Sequence, residues 1–149
     1  MPADKEIKIV SDTNVVISAA VSSDGNPAEI FELLLLGKIK NFTSDEIINE
    51  IKEVMEREKI RSRLTLYNRR FIIDNFEKFS VKIIPKIKND IIKEDPKDNK
   101  FLDCAVSANT GYIISGDEHL LSLKEFKGIK ILSPAEFVKL FDKKTSLPP

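Results

Sequence analysis

The stretch "KIVSDTNVVISAA" (residues 8–20) decides the fold. A short apolar run at residues 7–10 leads into Asp12, and helical periodicity takes over at once across residues 14–21. A strand delivered straight into a helix is the first half of a crossover unit. Asp12 therefore stands where the chain leaves a buried strand. It can cap the helix that follows, or it can be the first wall of an acidic site.

The same alternation continues outward. Residues 27–36 read as a helix and 38–43 as a strand. Residues 44–56 read as a helix with Ser44 as its N-cap, and 62–79 as a longer amphipathic helix. A strand at 81–84 is closed by Pro85. Asp95 and Pro96 give the start signal of a helix over 96–109. A strand at 111–115, a short helix at 118–123, a strand at 130–132 and a helix at 134–141 complete the pattern. Strands separated by helices need crossover connections, so the five strands should form a mainly parallel sheet. One domain is expected over residues 1–141, with "DKKTSLPP" (142–149) as a flexible tail.

Composition bounds the function classes. The 149 residues suit one domain, and 42% hydrophobic residues can fill its core. The 24 basic and 24 acidic residues balance, so binding to nucleic acid needs a local patch rather than a global field. Cys104 is the single cysteine, which excludes an intrachain disulfide and fits a reducing compartment. The longest apolar run, residues 33–36, is too short to span a bilayer, and the N-terminus has no signal-peptide core. A cytoplasmic protein without a membrane partner is expected.

In a parallel sheet, ligands bind beyond the carboxyl ends of the strands. Asp12 occupies that end of the first strand, and Asp117 in "YIISGD" occupies that end of the fourth. Each can be an N-cap alone; both together suggest a converging site. Helical phase, about 100° per residue, selects further acids. On the 44–56 helix the apolar stripe is Ile47, Ile48, Ile51, Val54 and Met55, and Glu50 lies nearest its flank. A rim glutamate on the surface is the bland alternative. On the 96–109 helix the stripe is Phe101, Leu102, Ala105 and Ala108. Asp98 projects with it, Asp103 points away and is the less favoured ligand, and Asp95 is assigned to the N-cap. An aspartate in the first turn can also simply favour the helix dipole.

Asp12, Glu50, Asp98 and Asp117 would repel one another if left bare. No lysine lies within or beside the two strand-end motifs, so a hard divalent cation, Mg²⁺ or Mn²⁺, is the expected counter-charge. Zinc fits poorly, because Cys104 and His119 form no spaced set and His119 reads as a surface residue. No G-x-S-x-G elbow, glycine-rich phosphate loop or cysteine–histidine pair is present. A carboxylate-held metal suits phosphoryl transfer and needs no histidine base.

"IVSDTNVVISA", "SDEIINEIKEV", "DPKDNKFLDCAVSANTGYIISGDEHLL" and "GIKILSPAEF" together resemble the PIN-domain family over residues 7–140. The similarity is strongest to its small VapC-like members, toxin components of toxin–antitoxin pairs. The resemblance implies a three-layer α/β/α sandwich and a metal-dependent ribonuclease that leaves a 5′-phosphate and a 3′-hydroxyl. It implies Asp12, Glu50, Asp98 and Asp117 as catalytic metal ligands, with Thr13, Asn14 and Ser115 as polar neighbours that support them. Serine at 115 replaces a frequent threonine and keeps the hydroxyl. An antitoxin partner covering the site and a homodimer are implied as well.

The chain adds a candidate RNA surface. Residues 57–70 hold six basic residues against one acid, with Tyr67 among them, and Arg61, Arg63, Arg69 and Arg70 are its RNA-binding candidates. A solvated helix face is the bland reading. Two other functions compete. A receiver-like signalling module expects paired acids after the first strand and a lysine near the site, whereas Asp12 is followed by Thr13 and Asn14. A D-x-D phosphatase fails at Asn14. A non-catalytic PIN-like scaffold keeps the fold without the activity, and the four-acid set speaks against it.

Overall fold

The computed structural model of the protein describes residues 6–145. Along the chain run β1 (Lys8–Ser11), α1 (Thr13–Val21), α2 (Asn26–Leu35), β2 (Lys40–Thr43) and α3 (Asp45–Met55). α4 (Glu58–Arg61), α5 (Leu66–Phe79) and β3 (Val81–Lys82) follow. A 3₁₀ turn (Pro96–Asp98) leads into α6 (Asn99–Ala108), then β4 (Tyr112–Ile114) and α7 (Glu118–Leu121). β5 (Glu125–Phe126), β6 (Ile129–Leu132) and α8 (Pro134–Thr145) complete the described chain.

The strands form one sheet in the order β3-β2-β1-β4-β6-β5, parallel except where β5 meets β6. It has six strands where five were expected. The extra strand is half of a tight hairpin through Lys127 and Gly128, both at positive φ (50° and 83°), the backbone that a two-residue turn requires. Two residues of strand are too few to leave an alternating pattern.

Successive side chains of a strand face opposite sides of the sheet. Ile9 and Val10 on β1, and Ile113 and Ile114 on β4, are all buried. Both faces are therefore covered by helices, as the continuous apolar character of these strands requires. α6 lies across β1, β2 and β4, while α1 packs against α2, α3 and α5. Phe101 and Phe137 are the largest fully buried side chains, and each buried aromatic or aliphatic residue stabilises the fold by about 1.5–3 kcal/mol.

Three differences from the sequence expectation change the architecture rather than trimming an element's ends. The expected 62–79 helix is broken, because the Thr65 side chain accepts from Asn68 N and caps a fresh helix there. The third strand stops at Lys82, and residues 83–95 form an irregular strap. α8 continues past Phe141 to Thr145, so residues 142–145 are helical; the rest of the expected tail lies outside the described residues.

Candidate metal centre

β1 and β4 pair in register from Ile9↔Tyr112 to Ser11↔Ile114, which sets their carboxyl ends side by side. From β1 the strand order steps to β2 on one side and to β4 on the other, the switch point at which open α/β sheets bind ligands. Asp12 N donates to Ile114 O across this gap at 3.0 Å.

Both strand-end aspartates cap a helix and also line the cleft. Asp12 Oδ1 accepts from Val15 N at 2.9 Å, and its Oδ2 accepts from the Ser115 hydroxyl. Asp117 Oδ1 accepts from His119 N at 2.8 Å, while Asp117 N donates to Ser115 Oγ at 2.9 Å. Ser115 thus ties the two aspartates together. Capping and site-building are not alternatives here.

The cleft measures about 250 Å³ and is lined by Asp12, Glu50, Asp98 and Asp117, with Thr13 and Asn14. α3 buries Ile47, Ile48, Ile51 and Met55, and this turns Glu50 to the rim of the cleft. The hydroxyl of Thr13 donates to Glu50 Oε1. Asp98 lies in the 3₁₀ turn before α6 rather than on the α-helix itself, so its direction comes from that turn. Asp103 does not line the cleft. Its Oδ1 accepts from Asn89 N (2.6 Å) and Asn89 Nδ2 (2.8 Å), which pins the 83–95 strap over the other face of α6. Asp103 is buried there, although helical phase alone would leave it exposed.

Four residues at the site carry roles that the sequence reading did not give them. Asp95 makes no side-chain capping bond and lines the cleft instead. With three residues per turn, a 3₁₀ turn stacks position i above i+3, so the D-x-x-D spacing was the available signal. Lys100 is buried, with Nζ 2.7 Å from Glu50 Oε2 and 2.8 Å from Lys97 O. A lysine does therefore neutralise one of the acids, contrary to expectation; it comes from α6, away from the strand-end motifs. Arg57 and Lys97 line the same cleft. Of the RNA-binding candidates, Arg69 is buried against Glu56 at 2.8 Å and holds α5 to the end of α3. Arg61 also reaches Glu56, at 3.8 Å, from an exposed position, whereas Arg63 and Arg70 are exposed.

Five carboxylates at the cleft (Asp12, Glu50, Asp95, Asp98 and Asp117) meet Lys97, Lys100 and an Arg57 that is shared with Glu53, an excess of negative charge that a divalent ion would reduce. The strain is visible at two carboxyls. Burial raises Asp12 to about 6 against its bonds from Ser115 and Val15. Burial, then the charges of Asp117 and Asp95, raises Asp98 to about 7. Asp98 Oδ2 is buried and meets no hydrogen-bond donor. A buried, donorless carboxylate oxygen beside two further carboxylates is what a divalent cation would satisfy, so the residues present fit a metal. Candidate ligand atoms of Asp95, Asp98, Asp117 and His119 all lie within 4.8 Å of one another.

Comparison with known proteins agrees with this architecture. The PIN domain family profile matches residues 8–119. The chain is 35% identical over 147 residues to the uncharacterized protein MJ1680 of Methanocaldococcus jannaschii, covering 93% of this chain and 94% of that one. Its fold is similar to the crystal structure of PAE2754 from Pyrobaculum aerophilum, with a TM-score of 0.62 over 95% of this chain and 99% of that chain. Sequence identity there is 11%, so that likeness concerns the fold alone. The chain belongs to the PIN domain family, whose members are typically nucleases.

Proposed function

We propose that this protein is a divalent-metal-dependent endoribonuclease, acting in the cytoplasm as the toxin component of a toxin–antitoxin pair, with Mg²⁺ or Mn²⁺ as its cofactor. The observation that carries the enzymatic part is Asp98 Oδ2, a buried carboxylate oxygen without a donor in a cleft crowded with other carboxylates. Such a group costs free energy in a fold that has no use for it. The toxin role, the antitoxin and a homodimer rest on the sequence resemblance.

A bound divalent cation would supply an activated water and charge stabilisation at the scissile phosphate. Asp98 and Asp117 would hold it, with Asp12 and Glu50 beside them. Ser115 and Val15 N fix the Asp12 carboxylate, and Thr13 and Lys100 fix Glu50, so these acids need no rearrangement on binding. Arg57 and Lys97 at the cleft can position the negatively charged backbone of RNA. Arg63 and Arg70, together with Tyr67 stacked on Phe71, offer phosphate and base contacts further out.

Labelled RNA incubated with the pure protein tests this. Cleavage that needs Mn²⁺ or Mg²⁺ and stops with EDTA supports the reading. RNA left intact at saturating metal would leave a non-catalytic PIN scaffold as the better account.

A further inference from the structure

Asp12 and Glu50 already have donors within the protein, whereas Asp98 Oδ2 has none and its only side-chain hydrogen-bonding neighbour is another acid, Asp117. Asp98 shares its neighbourhood with a nitrogen donor, the imidazole of His119. We propose that Asp95 and His119 complete the cation site with Asp98 and Asp117, giving three oxygens and one nitrogen, so that the site takes a borderline transition-metal ion in preference to Mg²⁺. This rests on the metal-dependent reading above and names its cofactor class.

The geometry allows it. The four ligand atoms lie within 4.8 Å of one another, and a cation bonding at about 2.1 Å holds its ligands roughly 3–4 Å apart. The closing movement falls to the side chains free to make it, since His119 is exposed and Asp95 half-buried. Asp98 is the fixed point: it is 9% exposed, and its Oδ2 has no donor. Asp117 Oδ1 caps α7 through His119 N, which sets the start of that helix and hence the direction of the imidazole. His119 Nδ1 lies 3.7 Å from Asp117 Oδ1, beyond hydrogen-bond reach but within ion-pair range, which places the ring nitrogen beside the carboxylates. The two acids outside the set are committed elsewhere, Asp12 to Ser115 and Val15 N, and Glu50 to Thr13 and Lys100.

A nitrogen ligand changes which ion wins. All-oxygen sites suit Mg²⁺, while imidazole favours the later first-row ions, and affinity rises from Mn²⁺ toward Co²⁺ and Ni²⁺. Mg²⁺ also retains its waters and prefers oxygen, so it gains little from an imidazole ligand.

Calorimetric titration of the metal-free protein with MgCl₂, MnCl₂ and CoCl₂, without RNA and at a pH where imidazole is neutral, tests the proposal. The wild type should bind Co²⁺ and Mn²⁺ more tightly than Mg²⁺. His119→Ala should lose on the order of tenfold or more in Co²⁺ affinity, since even outer partners of a metal ligand are worth that much, and should keep its Mg²⁺ affinity. Asp98→Asn should weaken all three ions. Equal affinity for Mg²⁺ and Co²⁺ in the wild type, or a His119→Ala variant that binds all three as before, overturns the proposal. His119-dependent selectivity in a protein that leaves RNA intact supports this site and rejects only the nuclease reading. Metal-dependent cleavage with selectivity unchanged in His119→Ala rejects only this site.

Discussion

Lys100 Nζ lies 2.7 Å from Glu50 Oε2, and the pair joins α6 to α3 at the edge of the acidic cleft. The ammonium is almost completely buried and also donates to Lys97 O, so it is a fixed internal cation rather than a surface charge. Its presence explains how Glu50 can stand beside Thr13 in a cleft crowded with other carboxylates. Lys100→Met keeps the aliphatic stem and removes the charge. Glu50 then loses its cation, and the metal-free fold should lose about 1–3 kcal/mol, the cost of a poorly satisfied charged group. Added Mn²⁺ should stabilise this variant more than it stabilises the wild type, because it restores charge balance. Chemical denaturation with EDTA and with Mn²⁺ checks both statements.

The carboxyls of Asp12 and Asp98 predict an unusual pH response without metal. Both are raised above the ordinary 3.8, to about 6 and about 7. A carboxyl raised in the folded state binds its proton more tightly there than in the unfolded chain. Its contribution is fully present below the ordinary carboxyl range and is lost as pH rises through the folded value. The Tm of the metal-free protein should therefore fall between about pH 4 and about pH 7 and level off above that. Asp98→Asn should raise the metal-free Tm at the upper end and flatten the slope. Saturating Mn²⁺ should flatten it in the wild type. A wild-type Tm that rises across this interval in EDTA would contradict the electrostatic description of the cleft.

Asp103 and Asp98 are both buried, five positions apart, and should behave oppositely. Asp103 holds the 83–95 strap through two bonds from Asn89. Asp103→Asn should lower stability by about 1–2 kcal/mol through weakened hydrogen bonding and leave metal-dependent cleavage largely intact. Asp98→Asn should abolish cleavage without loss of the metal-free fold. Melting curves and cleavage rates on the same two preparations separate the roles.

The basic segment at residues 57–70 divides in two. Arg69 is structural, so Arg69→Gln should destabilise the junction of α3 and α5 whether RNA is present or not. Arg57, Arg63 and Arg70 are exposed, with Arg57 lining the cleft. Replacing these three by glutamine should weaken RNA binding and reduce the slope of log affinity against log salt by roughly 0.7 for each phosphate that is no longer neutralised. Fluorescence anisotropy at several salt concentrations measures that slope, and an unchanged slope returns the segment to a solvated face.

The strand ends and the helix stripe were legible because their signals are local. Asp12 and Asp117 each lie within three residues of the end of an apolar run, and Glu50 sits beside a stripe that only a helix makes. Lys100 was not legible, since its partner lies fifty residues away and nothing near either residue marks the pair. Asp95 does take the N-cap position that the following proline signals, but its side chain makes no capping bond and lines the cleft, which that signal does not reveal. The run of arginines read as one continuous face and hid the cap at Thr65, although threonine three residues before a backbone donor is itself a start signal. His119 was set aside because it and Cys104 form no spaced set and because it reads as a surface residue; its place beside Asp95, Asp98 and Asp117 depends on the fold and has no local signal.

The proposed cation at Asp98 and the RNA hydrolysis assigned to it stand or fall together in one assay. The most direct measurement is cleavage of an end-labelled RNA by wild type and Asp98→Asn, each with saturating Mn²⁺ and with EDTA, after melting curves show both proteins folded. Mn²⁺-dependent fragments carrying 5′-phosphate ends are expected from the wild type, and none from Asp98→Asn. Equal cleavage by both proteins, or cleavage by the wild type that persists in EDTA, would contradict that assignment.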